Sequence, residues 1–387
     1  MRILFWQELF WPYIGGVEVL ATKLLLALRQ RGHEITVVTR RDRLDLPKEA
    51  QYQGIQIYRY PFPWTAFAKG DLDQLIEIRQ QVARLKRTFR PDLVHMNCFG
   101  PSFLFYHDTT NGQTAPLLAT LHTTPQSVMP QHAFSQDGLF RRTLRMASWV
   151  SCVSTAVLAA ARGLVPEITP YSSVIYNGLE VPSVPPKPLP FDPPKLLCLG
   201  RLIPEKGFDL ALKAFALIAD CFPRARLVIA GDGPARSFLE NQVAELGLRH
   251  SVELVGWVPP EKVPSLLNAA TVVIMPSHRE GLPSVALEAA LMARPLVATR
   301  VGGLPEVVLH QKTGLLVDDK DQEALAEAML FLLNHPDTAT ALGVAARRRA
   351  QEVFSFERYV SAYDTLYKKL VIERDIANDS SSISLVK

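Results

Sequence analysis

No run in this 387-residue chain reaches the roughly 18 consecutive apolar residues of a membrane-spanning helix. The apolar opening at 1–6 is interrupted by Gln7 and Glu8, so it reads as a first buried strand rather than a secretory signal. Cysteine is scarce. Cys98, Cys152, Cys198 and Cys221 are far apart, with no CxxC pair and no Cys/His cluster, which argues against a disulfide framework or a structural metal and for buried, reduced thiols in a cytosolic protein. There is no basic tail and no aromatic-basic module of the kind that binds nucleic acid. The glycine string IAGDGP (229–234) lacks the third glycine of the dinucleotide fingerprint, as does the segment after the opening strand, which argues against a nicotinamide dehydrogenase.

What is present is enough apolar sequence, 48%, for two ordinary domains with their own cores. The net charge of +4 is unevenly spread: residues 1–185 hold 19 Lys/Arg against 14 Asp/Glu, and residues 186–387 hold 23 against 24. Clusters such as Lys86-Arg87-Arg90 and Arg141-Arg142-Arg145 fit either solvated helix faces or attraction to an anionic membrane surface or acidic acceptor. Seven prolines fall within residues 182–195, PSVPPKPLPFDPPK, a composition that runs as an extended connector and marks a domain boundary.

Both sides of that boundary share one grammar, short apolar runs alternating with amphipathic helical patterns. Strands are expected at 3–6, 35–39, 55–60, 93–96, 116–121 and 149–154, then at 195–200, 226–231, 252–256, 271–277, 295–299 and 315–317. The clearest helices are at 17–31, 72–89, 208–220, 235–246, 262–269, 284–293 and 322–333. This is an α/β chain of two doubly wound, Rossmann-like domains, with ligands beyond the carboxyl ends of the strands. Two more helices follow at about 338–352 and 356–372, the second with Tyr359, Tyr363, Tyr367 and Leu370 on one face, and the serine-rich end is expected to be disordered. The expected domains are 1–181, with the helix at 356–372 packed back on it, and 195–355, joined by the linker at 182–194 and followed by a disordered tail at 375–387.

Chemistry is concentrated at two places. In CLGRLIPEKGFD, Arg201 and Lys206 emerge directly after a buried strand, with Gly200 allowing close backbone approach; a planar fork beside a mobile point charge suits a diphosphate. In HREGLPSVALEAALMARP, Glu280 and Glu288 are separated by a Gly-Pro turn, and Ser284 is placed to cap a helix whose free amides and dipole would attract a phosphate. Glu288, one turn into that helix, can accept the hydroxyls of a ribose, which leaves Glu280 to meet a sugar. A nucleotide diphosphate bonded to a sugar is the ligand this equipment would hold.

With these residues in place, the sequence resembles the retaining glycosyltransferases of the GT-B fold, family 4, whose Glu-x7-Glu signature matches Glu280 and Glu288. PYIGGVE (12–18), ATLHTT (119–124), VIYNGLE (174–180), IAGDGP, GGLPEVV (302–308) and TGLLV (313–317) match in the expected order across about residues 1–370. The resemblance implies two domains facing across a cleft, the first for acceptor and the second for donor. It implies donor contacts from Gly200, Gly281, Leu282, Pro283, Ser284 and Glu288, with Gly15 and Gly16 on a loop approaching the donor phosphate. It places His122 beside the donor sugar and gives catalytic roles to Arg201, Lys206, Glu280 and His122.

It further implies transfer with retention, from a UDP-sugar in preference to GDP-mannose, to a hydroxyl of a glycan, lipid or small molecule. No cofactor and no metal are implied, the two cations and the helix start supplying the countercharge. The strings Asp71-Leu72-Asp73 and Asp319-Lys320-Asp321 are read as helix starts rather than metal sites. The expected location is cytoplasmic, with peripheral contact at the inner membrane face through the basic N-terminal domain left open. The aromatics Trp6, Phe10, Trp11 and Tyr13 and the segment PFPWTAFAKG (61–70) fit either an acceptor site or local packing. Two rivals remain at this stage, a nucleotide-sugar epimerase or hydrolase and a non-catalytic nucleotide-sugar-binding subunit.

Overall fold

The computed structural model describes residues 1–41, 45–62, 72–97, 100, 102–109, 115–124 and 138–384, with side chains to Ala377. The chain forms two compact units, Met1–Tyr176 with Tyr359–Lys387, and Asn177–Arg358.

The first unit runs β1 (Arg2–Gln7), α1 (Gly16–Gln30), β2 (Glu34–Arg40), β3 (Glu49–Tyr52), β4 (Ile55–Tyr60), α2 (Leu72–Phe89), β5 (Leu93–Met96), α3 (Phe103–His107), β6 (Leu117–Leu121), α4 (Leu139–Met146), β7 (Trp149–Cys152), α5 (Thr155–Leu164) and β8 (Ser172–Val174). Its eight-stranded sheet has the order β3-β4-β2-β1-β5-β6-β7-β8. Every pair is parallel except β3 with β4. The strand order reverses between β1 and β5, where Phe5 stands opposite His95. Helices on both faces bury both sides of the inner strands, which is why β1 and β5 are near-continuous apolar runs.

The second unit runs β9 (Lys195–Leu199), α6 (Phe208–Ala219), β10 (Arg226–Ala230), α7 (Arg236–Glu245), β11 (Val252–Gly256), α8 (Val263–Asn268), β12 (Val272–Met275), α9 (Ser284–Leu291), β13 (Leu296–Thr299), α10 (Leu304–Val307), β14 (Leu315–Val317), α11 (Gln322–Asn334) and α12 (Pro336–Val353). Its six strands are parallel in the order β11-β10-β9-β12-β13-β14. The core lies between the sheet and its helices, with Phe208, Phe215, Leu227, Ile229 and Met329 among its members. On the other side, Gly343 of α12 comes so near α9 that an added Cβ would lie 2.2 Å from the Ala293 carbonyl, and Arg347 donates to the Leu291 carbonyl at 2.5 Å. These contacts brace the helix that carries Glu288.

The proline-rich stretch differs from the linker expected of it. It lies within the second unit, pinned along its length: Asn268 Nδ2 donates to the Pro185 carbonyl at 2.9 Å, Lys187 N donates to Asn268 Oδ1 at 2.9 Å, and Thr271 and Arg294 donate to the Pro190 and Lys187 carbonyls. Proline removes donors but leaves carbonyls, and buried side chains of the second unit have taken them. The chain passes between units at Tyr176/Asn177 and Arg358/Tyr359 instead.

The last helix, α13 (Phe356–Ser384), continues well past 372 and through residues expected to be disordered. Six of the ten residues of KKLVIERDIA are Lys, Leu, Glu, Arg or Ala, all good helix formers, and Lys369–Glu373 adds an (i, i+4) pair. Arg374 also donates to the Asp92 carbonyl at 2.9 Å and so holds the helix to the first unit. Its tyrosine stripe is buried and polar at its tips: Tyr367 OH meets His95 Nδ1 at 2.5 Å, and His95 Nε2 meets Thr120 Oγ1 at 2.8 Å. Thr120 Oγ1 in turn lies 2.5 Å from Ser151 Oγ and 3.2 Å from Tyr363 OH. Asp364 binds His33 at 2.9 Å and Arg31 at 3.3 Å.

Two local expectations are also corrected. Lys86 is not part of a basic surface cluster; it is buried, donates to the Tyr106 carbonyl at 3.1 Å and to Thr109 Oγ1 at 3.0 Å, and burial pushes its amine down to about 7. Cys152 and Cys198 are buried thiols whose pKa burial raises, but Cys221 at the end of α6 is exposed, and Cys98 lies outside the described residues. Among the described residues, no helix is long and apolar enough to cross a membrane.

Burial holds three imidazoles of the first unit neutral: His95 well below its ordinary 6.5, and His107 and His122 at about 4. For each, the folded pKa lies below the unfolded one, so the unfolded chain takes up more protons as pH falls from 6.5. The stabilisation is complete above pH 6.5 and is lost as pH drops toward 4. Chemical denaturation of the whole chain at several pH values should show a midpoint that declines across this window; a flat midpoint from pH 7 to 4.5 would contradict it.

Candidate active site

In the second unit the strand order reverses between β9 and β12, and the two sequence motifs leave the sheet from the carboxyl ends of these two neighbouring strands. That is where an open parallel sheet leaves room for a ligand. After β9 come Gly200, the exposed Arg201, and a 3-10 turn, Pro204–Lys206, closed by Gly207 in the left-handed region at φ +63°. After β12 come Pro276, Ser277, His278 and Glu280, leading into α9.

These loops are packed backbone on backbone. A Cβ on Gly207 would lie 2.0 Å from the Pro276 carbonyl oxygen, and one on Gly302, φ +51°, would lie 1.8 Å from the Glu280 carbonyl oxygen. His278 N donates to the Glu205 carbonyl at 2.9 Å, and Thr299 Oγ1 donates to the Ser277 carbonyl at 2.5 Å. The outcome is an ion pair: Lys206 Nζ stands 2.7 Å from Glu280 Oε1, which also accepts from Ser277 Oγ at 2.8 Å. Their side chains are 22% and 7% exposed, so this pair is far less screened by water than a surface salt bridge. Lys206 keeps two further N–H donors, and Glu280 Oε2 has no partner among the described residues.

The start of α9 is open. Pro283 occupies the N-cap in extended geometry and Ser284 is the first helical residue, so Ser284 does not cap the helix as expected. The helical backbone of Ser284 turns its hydroxyl away from the amide a cap would reach. The amides of Gly281, Leu282, Ser284 and Val285 therefore have no acceptor among the described residues. Free amides at the positive end of a helix dipole form an anion site. Leu282 is buried, and Asn177 Nδ2 donates to its carbonyl at 3.3 Å. Glu288 is half-buried on the first turns of α9.

The second Asp-x-Asp string has divided roles. Asp321 caps α11 by accepting from Ala324 N at 2.8 Å, but Asp319 binds His278 Nδ1 at 2.6 Å. In the first string, Asp73 lies in the first turn of α2 and Asp71 is outside the described residues. Among the described residues no group of three or more His, Cys, Asp or Glu could hold a metal ion.

In the first unit, Gly15 is the extended N-cap of α1 and Gly16 its first residue, in the loop that follows β1. His122 follows β6; its Nε2 lies 3.1 Å from Asn97 Oδ1, and Asn97 Nδ2 donates to Gln7 Oε1 at 2.9 Å. Gln7, Asn97 and His122 thus line the carboxyl ends of three successive strands. Most of 61–70 lies outside the described residues; Phe62, which is described, stacks on Trp6 at 5.8 Å in the core. Trp6 and Phe10 are buried, which makes them packing residues, while Trp11 remains exposed.

Sequence reasoning missed Ser277, His278, Gly207, Gly302, Thr299 and Asn97. A glycine directly after Lys206 was a readable sign of a positive φ; nothing local pointed to His278.

Comparison with known proteins bears on the family and the fold. The model of the family Glycosyltransferase Family 4 matches residues 14–181, and that of Glycosyl transferases group 1 matches residues 184–349. A glycogen synthase of Mycobacterium tuberculosis is 28% identical over 95% of this chain and 94% of the relative. A GDP-mannose-dependent alpha-(1-6)-phosphatidylinositol monomannoside mannosyltransferase of Mycolicibacterium smegmatis is 38% identical over 41% of this chain and 44% of the relative. Among solved structures, the sucrose-phosphate synthase of Thermosynechococcus elongatus superposes with a TM-score of 0.84 at 23% identity, covering 96% of this chain and 99% of that one. With both halves matched in order and the fold shared, the chain belongs to the GT-B glycosyltransferases of family 4, group 1.

Proposed function

We propose that this glycosyltransferase binds a nucleoside-diphosphate sugar on its second unit and transfers the sugar, with retention and without a metal ion, to a hydroxyl of a glycan, lipid or small-molecule acceptor. The observation that carries the reading is the shielded Lys206–Glu280 pair set against the open amides of residues 281–285. Lys206 and Arg201 stabilise the charge that grows on the departing diphosphate, the amides hold its oxygens, and Glu280 Oε2 accepts from a sugar hydroxyl. Glu288 takes the ribose hydroxyls. In the reaction the bond between the anomeric carbon and the diphosphate oxygen breaks, a bond from the acceptor oxygen to that carbon forms on the same face, and the acceptor's proton passes to the departing phosphate oxygen. Gly15, Gly16 and His122 carry the donor-side roles that the resemblance gives them.

UDP-sugars come first from the sequence reading. GDP-mannose is the second reading, favoured by the relative that is 38% identical over 41% of this chain and is named for that donor. The deciding test incubates the full chain with UDP- and GDP-sugars and a panel of hydroxyl acceptors, with and without EDTA, and identifies products by mass spectrometry. Acceptor-dependent product with unchanged anomeric configuration and unchanged yield in EDTA is expected. Release of free nucleotide without any acceptor requirement points to a hydrolase or epimerase, and nucleotide binding with no product under any condition to a binding subunit; either overturns the proposal.

A further inference from the structure

His278 and Asp319 are separated by 41 positions in sequence, and neither belongs to the residues that hold the donor in the proposed reading, yet they meet at 2.6 Å beside the Lys206 turn. We infer that His278, fixed by Asp319, is a positioning residue that sets the Lys206–Glu280 pair; this deepens the proposed function and rests on it.

Three attachments of one residue make the case. The His278 backbone N–H donates to the Glu205 carbonyl at 2.9 Å, tying the Glu280 loop to the residue before Lys206. The ring faces the residue after Lys206, its Nε2 lying 3.4 Å from where a Cβ on Gly207 would stand, in ordinary van der Waals contact with that turn. The opposite ring nitrogen, Nδ1, is bound to Asp319. An ionised carboxylate only accepts, so Nδ1 carries the proton and the ring plane is fixed with Nε2 toward Gly207. Lys206 therefore sits on a turn held by the Glu280 loop on one side and by a carboxylate-oriented imidazole on the other. Asp319 follows β14, whose pairing with β13 continues the sheet to the strand that carries Thr299, itself bonded to Ser277. Each anchor converges on the same few residues.

The pair is half-buried, with side chains 26% and 30% exposed. Its effect is geometric. A cation displaced by a fraction of an ångström from the leaving group stabilises the transition state less, although the ground-state complex still forms.

The test uses the full chain and the active donor. His278→Ala and Asp319→Asn are expected to lower kcat on the order of tenfold, with thermal midpoints within about 2 °C of the parent. His278→Asn, whose amide nitrogen can take the place of Nδ1, is expected to recover most of that loss. In a Lys206→Ala background, His278→Ala should change kcat less than about twofold, because its effect acts through Lys206. A tenfold loss that persists in that background, or parental kcat in His278→Ala, overturns the inference. A readout independent of catalysis is the rate of amine labelling at Lys206 followed by mass spectrometry. It should rise at least threefold in His278→Ala and Asp319→Asn while other lysines keep their rates. Unchanged labelling of Lys206 sinks the inference whatever the kinetics show, whereas parental kcat in Lys206→Ala sinks the catalytic reading and leaves the labelling result to judge the positioning role.

Discussion

Lys206→Ala is expected to reduce kcat by about 10²–10³ while leaving the protein folded. The lysine has one bond to Glu280, at 2.7 Å, and two donors left for the diphosphate, and its side chain is only 22% exposed, so its charge acts in a poorly screened setting. The substitution also leaves the Glu280 carboxylate, 7% exposed, with Ser277 as its remaining described partner. That loss of pairing adds a stability term, and a thermal scan alongside the kinetics separates the two. Lys206→Arg is the companion variant. It keeps the charge but replaces a point donor with a planar fork, and it should recover only part of the rate, because the fork presents its N–H groups to Glu280 and the diphosphate in a different geometry. A folded Lys206→Ala protein with parental kcat would remove the lysine from the mechanism. If kcat falls and KM for the donor is unchanged, the contact is made mainly in the transition state; a rise in KM at constant kcat would assign Lys206 to ground-state binding alone.

How much of this was legible in the sequence follows from burial. Parallel strands covered on both faces have apolar runs that stand out, so β5 and β14 are found to the residue, as are β4 and the edge strand β11, and the other long strands within two positions. The missed strands are those without such a run: β3, EAQY, is an antiparallel edge strand with alternating exposure, and β8 has only three residues. The short helices α3 and α10 are too brief to display a helical period. At the site, residue types and spacing pointed to Arg201, Lys206, Glu280 and Glu288, but not to which of them touch. The contact between Lys206 and Glu280 depends on β9 and β12 being neighbours, a fact of sheet order rather than of either motif. The tie between His278 and Asp319 was further out of reach, because it requires β14 to lie beside β13 and the acidic string after β14 to split its duties between a cap and an ion pair. The proline-rich segment misled for a complementary reason: composition shows what a segment cannot donate, but not which buried side chains will use its carbonyls.

Gly302→Ala should be among the most damaging single-methyl changes in the second unit. Gly302 lies in the turn after β13 at φ +51°, and the added Cβ would stand 1.8 Å from the Glu280 carbonyl oxygen, well inside any real contact. Two effects combine, the strain of a left-handed alanine, about 1–2 kcal/mol, and a backbone clash that no rotamer change can relieve. The atom that must yield belongs to Glu280, so the displaced loop carries the carboxylate and its bond to Lys206 with it. Gly247→Ala is the control. Its φ of +71° imposes similar strain, but nothing lies within 4 Å of the added methyl. Gly247→Ala is therefore expected to lower stability by about 1 kcal/mol with full activity. Gly302→Ala is expected to lower it by about 3 kcal/mol or more and to cut kcat at least tenfold in the fraction that stays folded. Urea denaturation and steady-state assays on the same preparations decide it. Equal stability losses in the two variants, with parental kcat in both, would mean that the Glu280 loop can move away from Gly302 without consequence, and that the close packing beneath the acid does not govern the site.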